Sequence, residues 1–146
     1  MPRFFTLQQA EKLLPEVAEA IGQAVALKAE CERVELEWQT FSRRIAVMGG
    51  VQVDRSRFEE LKKRRETAAR VLEEAIEKVH AYGCLVKDLD IGLIDFPTLY
   101  QGQEVYLCWK LGETEIRFWH GMDEGFRGRK PIDAGFLEQH RGEMPN

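Results

Sequence analysis

The sequence predicts an α+β protein, mainly α, in which a long antiparallel helical hairpin precedes a small antiparallel β-sheet and an irregular tail. Three observations predict it. Up to Gly83, apolar residues recur at spacings of three and four, the signature of one helix face. Gly49-Gly50 divides that stretch, and a short connection between two helices makes them antiparallel neighbours. After Gly83 the spacing changes to two, as in Val105, Leu107 and Trp109, which is the period of a strand.

The first helix opens with Thr6-Leu7-Gln8-Gln9, a capping box. The Thr6 hydroxyl accepts from the Gln9 backbone N–H, and the Gln9 side chain reaches back. Its apolar stripe runs from Leu7 and Ala10 through Val17, Ile21 and Val34 to Trp38, Phe41, Ile45 and Met48. Pro15 removes one helical donor and crowds the carbonyl four residues earlier, so a kink or break is expected near it. The part from Pro15 to Met48 then spans about 50 Å, at roughly 1.5 Å per residue. Gly49-Gly50 suits a left-handed C-terminal cap, and Val51-Gln52-Val53 falls in the connection. Ser56 with Glu59 reads as a second capping box, and the stripe beginning at Phe58 and Leu61 ends at Tyr82, where Gly83 closes the helix.

In the second half a strand is expected within Leu85–Phe96, stopped by Pro97. Val105–Trp109 and Ile116–Trp119 form a hairpin about the loop Leu111-Gly112-Glu113-Thr114. The chain reads as a single domain over 1–146, with the helical hairpin at 5–83, the β-rich cassette at 84–131 and a frayed tail at 132–146. Two helices cannot enclose a core by themselves. The sheet can cover one end of the hairpin, but Trp38, Phe41, Ile45 and Phe58 lie too far along it, so a homodimer is expected.

Apolar residues make up 44% and charged residues 32%, a folded composition rather than a disordered one. The net charge of −4 is uneven: residues 84–146 carry 7 basic and 11 acidic side chains. Proteins that bind duplexes show the opposite bias, so nucleic acid is disfavoured as a partner. No apolar run approaches the roughly 20 residues that span a bilayer, and no membrane partner is expected. Cys31, Cys84 and Cys108 are odd in number, widely spaced and without a Cys-x-x-Cys pair, which points to reduced thiols and a cytoplasmic setting. Neither a phosphate-binding glycine loop nor a nucleophile elbow is present.

Phe5-Thr6-Leu7 with Leu13-Leu14-Pro15-Glu16-Val17 resembles the opening of a bacterial family catalogued as a domain of unknown function. The cassette resembles it more closely, in Lys87-Asp88-Leu89-Asp90, Gly92–Pro97, Glu104–Lys110, Leu111-Gly112-Glu113, Trp119-His120 and Gly125-Phe126 with Gly128-Arg129 and Pro131. The resemblance covers Phe5 to Pro131. It implies a small bacterial cytoplasmic protein with a helical hairpin and a C-terminal β-rich cassette, and it implies no activity.

Candidate site residues concentrate in the cassette. Asp88, Asp90 and Asp95 offer oxygen ligands to a hard cation, and His120 adds a nitrogen; aspartates beside Gly92 and Pro97 equally fix turns through backbone hydrogen bonds. His120, counted along Ile116 and Phe118, falls on an apolar strand face, as a base oriented by an acidic neighbour or as a satisfied structural residue. Cys84, Cys108, His80 and His120 contain zinc-type ligands without a zinc-type spacing. Arg129, with Arg127 and Lys130, can clamp an anion beside Trp109 and Trp119, or neutralise nearby carboxylates. Lys62–Arg65 reads as a solvated helix face. No residue is assigned as catalytic, no cofactor is predicted, and a divalent metal is the one group the residues leave open. The binding residues expected are Asp88, Asp90, Asp95, Trp109, Trp119, His120 and Arg129. The function they suit is a non-enzymatic interaction or ligand-binding protein on a dimeric scaffold; the alternative is a small metal-dependent hydrolase using the Asp/His cluster.

Overall fold

Helix α1 spans Leu7–Val47 and α2 spans Arg55–Ala81 in the computed structural model, which describes residues 4–47 and 54–142. The capping box at Thr6 is formed: Gln9 N–H donates to the Thr6 hydroxyl at 3.2 Å and Thr6 N–H to the Gln9 side chain at 2.9 Å. No break occurs at Pro15, which lies exposed within a continuous helix. One lost hydrogen bond on the solvent side is tolerated because Leu14 and Val17, on either side of it, are both buried. The start of α2 differs from the expected one. Asp54, not Ser56, is its cap, and its carboxylate accepts from Arg57 N–H at 3.0 Å. The expected cap at Gly49-Gly50 and the connection through Val53 lie outside the described residues.

The two helices pack antiparallel. Arg65 bridges to Glu35 at 2.6 and 3.1 Å, Arg64 to Glu37 at 2.9 Å, and Phe58 meets both Trp38 and Phe41. Exposed pairs of this kind contribute little each, so they set register more than stability. Arg65 also lies over the Trp38 ring, its stem along the apolar stripe and its charge in water. Gly83 ends α2 with φ of 99°, a left-handed conformation that favours glycine, and turns the chain into the sheet.

Six antiparallel strands follow: β1 (Leu85–Asp88), β2 (Leu93–Tyr100), β3 (Gln103–Lys110), β4 (Phe118–Gly121), β5 (Lys130–Pro131) and β6 (His140–Arg141), with a short helix α3 (Ala134–Gln139) before the last. The order is β1-β2-β3-β4-β5, and β6 joins the outer edge of β2 beyond β1. Pro97 does not stop a strand but sits inside β2, opposite Tyr106. Its carbonyl accepts from Phe5 N–H at 2.8 Å, so its backbone faces away from β3 and the missing N–H removes no bond of that ladder. The outer edge of β2 is thereby closed in sequence by β1, Phe5 and β6. Ile116 precedes β4 rather than belonging to it, yet is buried, its N–H donated to Glu11 of α1 at 3.2 Å.

One face of the sheet, with Ile94, Phe96, Leu107 and Trp109, packs on Leu14, Val17 and Ile21 of α1 and Val79 of α2 to make the core. The stretch after Pro131, expected as a frayed tail, is folded onto this core up to Gly142. Asp133 caps α3, and Phe136 is only 1% exposed, stacked against Tyr100, Trp119 and His140. His140 then accepts from Leu7 N–H at 3.0 Å through Nε2 while its Nδ1–H donates to Leu137 O at 2.9 Å, satisfying a donor at the start of α1. A Cβ on Gly142 would lie 2.9 Å from Thr6 N, so the backbone at Gly142 and at Thr6 meets closely enough to require glycine. Phe136→Ala is expected to cost about 3–5 kcal/mol, the usual effect of emptying a buried aromatic site. Urea denaturation measures it; a loss below about 1 kcal/mol would mean that this segment is not docked.

Candidate functional site

Strand alternation sends Asp95, Tyr106, Cys108, Phe118 and His120 to the sheet face opposite the helices. In the ladder Asp95 lies opposite Cys108, Cys108 opposite Phe118, and Tyr106 opposite His120. Asp95 and Cys108 are fully buried and His120 is 4% exposed. The segment that follows β4 returns to this face, and the Arg129 guanidinium covers the rings of Phe118 and Phe126 at 4.1 and 4.4 Å. Lys87 lies over Tyr106, and Tyr106 packs on the His120 ring.

At the centre, His120 Nε2 stands 3.0 Å from each Asp95 oxygen, and Nδ1 is 2.8 Å from the Gly121 carbonyl. A carbonyl only accepts, so Nδ1 carries a hydrogen. Nε2 and the carboxylate must then share a further proton, because two lone-pair acceptors facing each other in a buried site repel. Burial pushes the Asp95 carboxyl above its ordinary range, against the opposing pull of His120. Burial also pushes the Cys108 thiol up to about 12, helped by neighbouring Asp95 and opposed by Arg129. Tyr106 is likewise raised to about 12 by burial and by its bond to Glu104.

This chemistry is not that of a cysteine nucleophile. A thiolate is the reactive form, and burial here disfavours it. The imidazole nitrogens are both engaged, one by a backbone carbonyl and one by Asp95, leaving neither to activate the thiol. Among the described residues no buried side-chain nitrogen or oxygen lacks a partner. Asp95, Cys108 and His120 do place three ligand atoms within 4.8 Å of one another, the group of His, Cys and acidic residues that comes together among the described residues.

The structure unites only part of the predicted set. Asp95 and His120 are joined, although Ile116, counted on the same face as His120, belongs to the helix-side core. Asp88 and Asp90 lie exposed at the β1–β2 turn; Asp88 accepts from Asp90 N–H at 2.9 Å, and Asp90 pairs with Lys28. That is the turn-fixing role of aspartates beside a glycine. Trp109 is in the core, its indole N–H donated to Glu113 O at 3.1 Å. Trp119 stacks on Phe136 on the same side of the sheet. Arg129 pairs with Glu113 at 3.0 Å and Lys130 with Glu124, so both neutralise carboxylates of their own cassette. Cys84 donates to Val79 O in the helix-side core, and His80 accepts from Val86 N–H, so neither joins Cys108. Tyr106, not expected as a site residue, completes the buried cluster with Cys108, which the sequence offered only as a zinc-type ligand without a zinc-type spacing. The signal for them was the ladder position opposite Asp95 and His120, which becomes visible once register is known.

The fold and site define a class: a long helical hairpin that supports a small sheet, with a buried Asp–His–Cys cluster on the sheet's far face. The model of an uncharacterized conserved protein family, DUF2203, matches residues 3–132, and the chain belongs to that family. No curated protein and no solved structure matches the chain. The described residues contain no helix long and apolar enough to cross a membrane.

Removing the imidazole from this cluster leaves a buried carboxyl without its partner. His120→Ala is expected to cost about 3–5 kcal/mol, the usual result of breaking a buried charged pair from one side. Asp95→Asn keeps the shape and gives Nε2 an amide donor, so its cost should be well below that. Equal losses in denaturant midpoints for the two variants would contradict the shared-proton arrangement.

Proposed function

We propose that the protein is a non-enzymatic interaction protein of the cytoplasm, whose helical hairpin associates with a second copy while the cassette serves as a rigid binding module. The observation that carries this reading is the unsealed seam of the hairpin. Between α1 and α2 lies a groove of about 400 Å³ lined by Leu27, Val34, Ala68 and Val71, with Glu30, Glu60, Lys63 and Arg64 on its rim. Further along, Leu36 is 64% exposed and Trp38, Phe41, Ile45 and Phe58 are only half-buried. A two-helix layer leaves such a stripe wet, and packing against another helical pair is the usual remedy.

A second copy fits this groove on charge grounds. The rim carries both signs, so a second copy can be seated with acidic residues near basic ones, although Glu30, Glu60 and Arg64 also have partners in their own chain. Three free cysteines, two of them buried, suit a reducing compartment. The cassette supports binding rather than catalysis because its buried polar groups are used up among themselves.

Sedimentation velocity tests the association. The wild type is expected to sediment as a dimer at micromolar concentrations. Ala68→Glu places a charge in the groove and should yield folded monomer, whereas Ala69→Glu, on the opposite side beside Cys31 and Glu35, should leave the dimer intact. A wild type that stays monomeric at about 100 μM, well above the concentration at which a stable dimer forms, would overturn the reading.

A further inference from the structure

We propose that Asp95, Cys108 and His120 bind a single divalent ion of the zinc type. The three residues come from adjacent strands, β2, β3 and β4, so the backbone ladder itself holds them in place. Their ligand atoms lie within 4.8 Å of one another. Donors on a tetrahedral zinc are about 3.5 Å apart, given bonds of roughly 2.0–2.3 Å, so closure around an ion needs shifts of only about an ångström.

The orientation of the imidazole suits an ion at the same place. His120 Nδ1 is committed as a donor to the Gly121 carbonyl at 2.8 Å, which fixes the ring and turns the lone pair of Nε2 towards the Asp95 oxygens. This is how the outer nitrogen of a metal-bound histidine is ordinarily held. Without an ion, Nε2 and Asp95 are joined by a hydrogen bond of 3.0 Å, which metal binding would replace.

The donor set selects the ion. Thiolate and imidazole favour zinc or cobalt over magnesium and calcium, which prefer oxygen alone. Asp95, Cys108 and His120 each offer one ligand atom, and a water completes a four-coordinate shell. Binding releases two protons, one from the Cys108 thiol and one shared by Asp95 and His120. The charges of carboxylate and thiolate then balance the divalent ion, which removes the penalty of burying net charge. Of the neighbouring cations, Arg129 pairs with Glu113 at 3.0 Å and also contacts the Cys108 sulfur, where it favours the thiolate, while Lys87 lies over the Tyr106 ring. The site is buried on the sheet face opposite the helices, and it stands apart from the helical seam.

The test uses the full chain without a histidine tag, stripped with chelator and titrated with cobalt(II) alone. One equivalent is expected, with a thiolate-to-cobalt charge-transfer band in the near ultraviolet and the visible bands of four-coordinate cobalt. Both should vanish in Cys108→Ser and in His120→Gln and persist in Cys31→Ser. Should either of the first two variants fail to fold by circular dichroism, zinc K-edge absorption on the loaded wild type decides, with one sulfur and otherwise nitrogen or oxygen neighbours expected. Absence of stoichiometric binding, a spectrum without sulfur, or a band that survives Cys108→Ser would overturn the proposal.

Discussion

The side chains of β2 alternate between two enclosures, and most of the molecule is arranged to close them. Ile94 and Phe96 enter the core against α1, while Asp95 between them is shut in beside Cys108 and His120. The strand's outer edge would expose a row of unpaired backbone groups. Instead β1, Phe5 and β6 divide that edge among three parts of the chain. Sealing β2 thus requires the start of the chain, the end of α2 and the segment after Pro131 to converge, which couples the helical and β halves into one unit.

The far face of the sheet follows from the same constraint. A strand buried on one side only would place Asp95 in water, where a carboxylate needs no special partner. Burial on both sides gives the carboxyl a strong penalty for standing alone, and the Gly121 carbonyl and His120 meet it with a chain of directed hydrogen bonds. The result is a small polar island under Arg129, Phe118 and Tyr106 rather than an open catalytic cleft. The hairpin shows the opposite situation. Its proximal part is covered by the sheet, whereas the distal part rests on one helix pair, ion pairs and three aromatic rings.

Much of the fold was legible in the residues because helix and strand periods are local properties. The stripe from Ala10 to Val34, the box at Thr6 and the stop at Gly83 each depend on neighbours within a turn or two. The structure departs from the local pattern where long-range partners decide. Pro97 looked like a strand terminator until Phe5 supplied the edge contact that makes it harmless. The glycine- and proline-bearing end looked unstructured because Phe136 and His140 have their partners in Tyr100, Trp119 and Leu7, far away in sequence. The second cap moved from Ser56 to Asp54 because both residues can fill that role and only the backbone path chooses.

By itself the sequence determined two helices, an alternating cassette, and the presence of unusual acidic, aromatic and imidazole groups after Gly83. Only the tertiary structure decided which of those groups meet. Period-two alternation states that Trp109 and Cys108 point to opposite faces, but not which face the helices cover. Register across β2, β3 and β4 set Asp95 beside Cys108 and brought His120 to Asp95, sent Trp109 and Trp119 to the core side, and left Asp88 and Asp90 at an exposed turn. Register is a relation between distant segments, chosen by the total burial of the sheet, and no single stretch of the chain contains it.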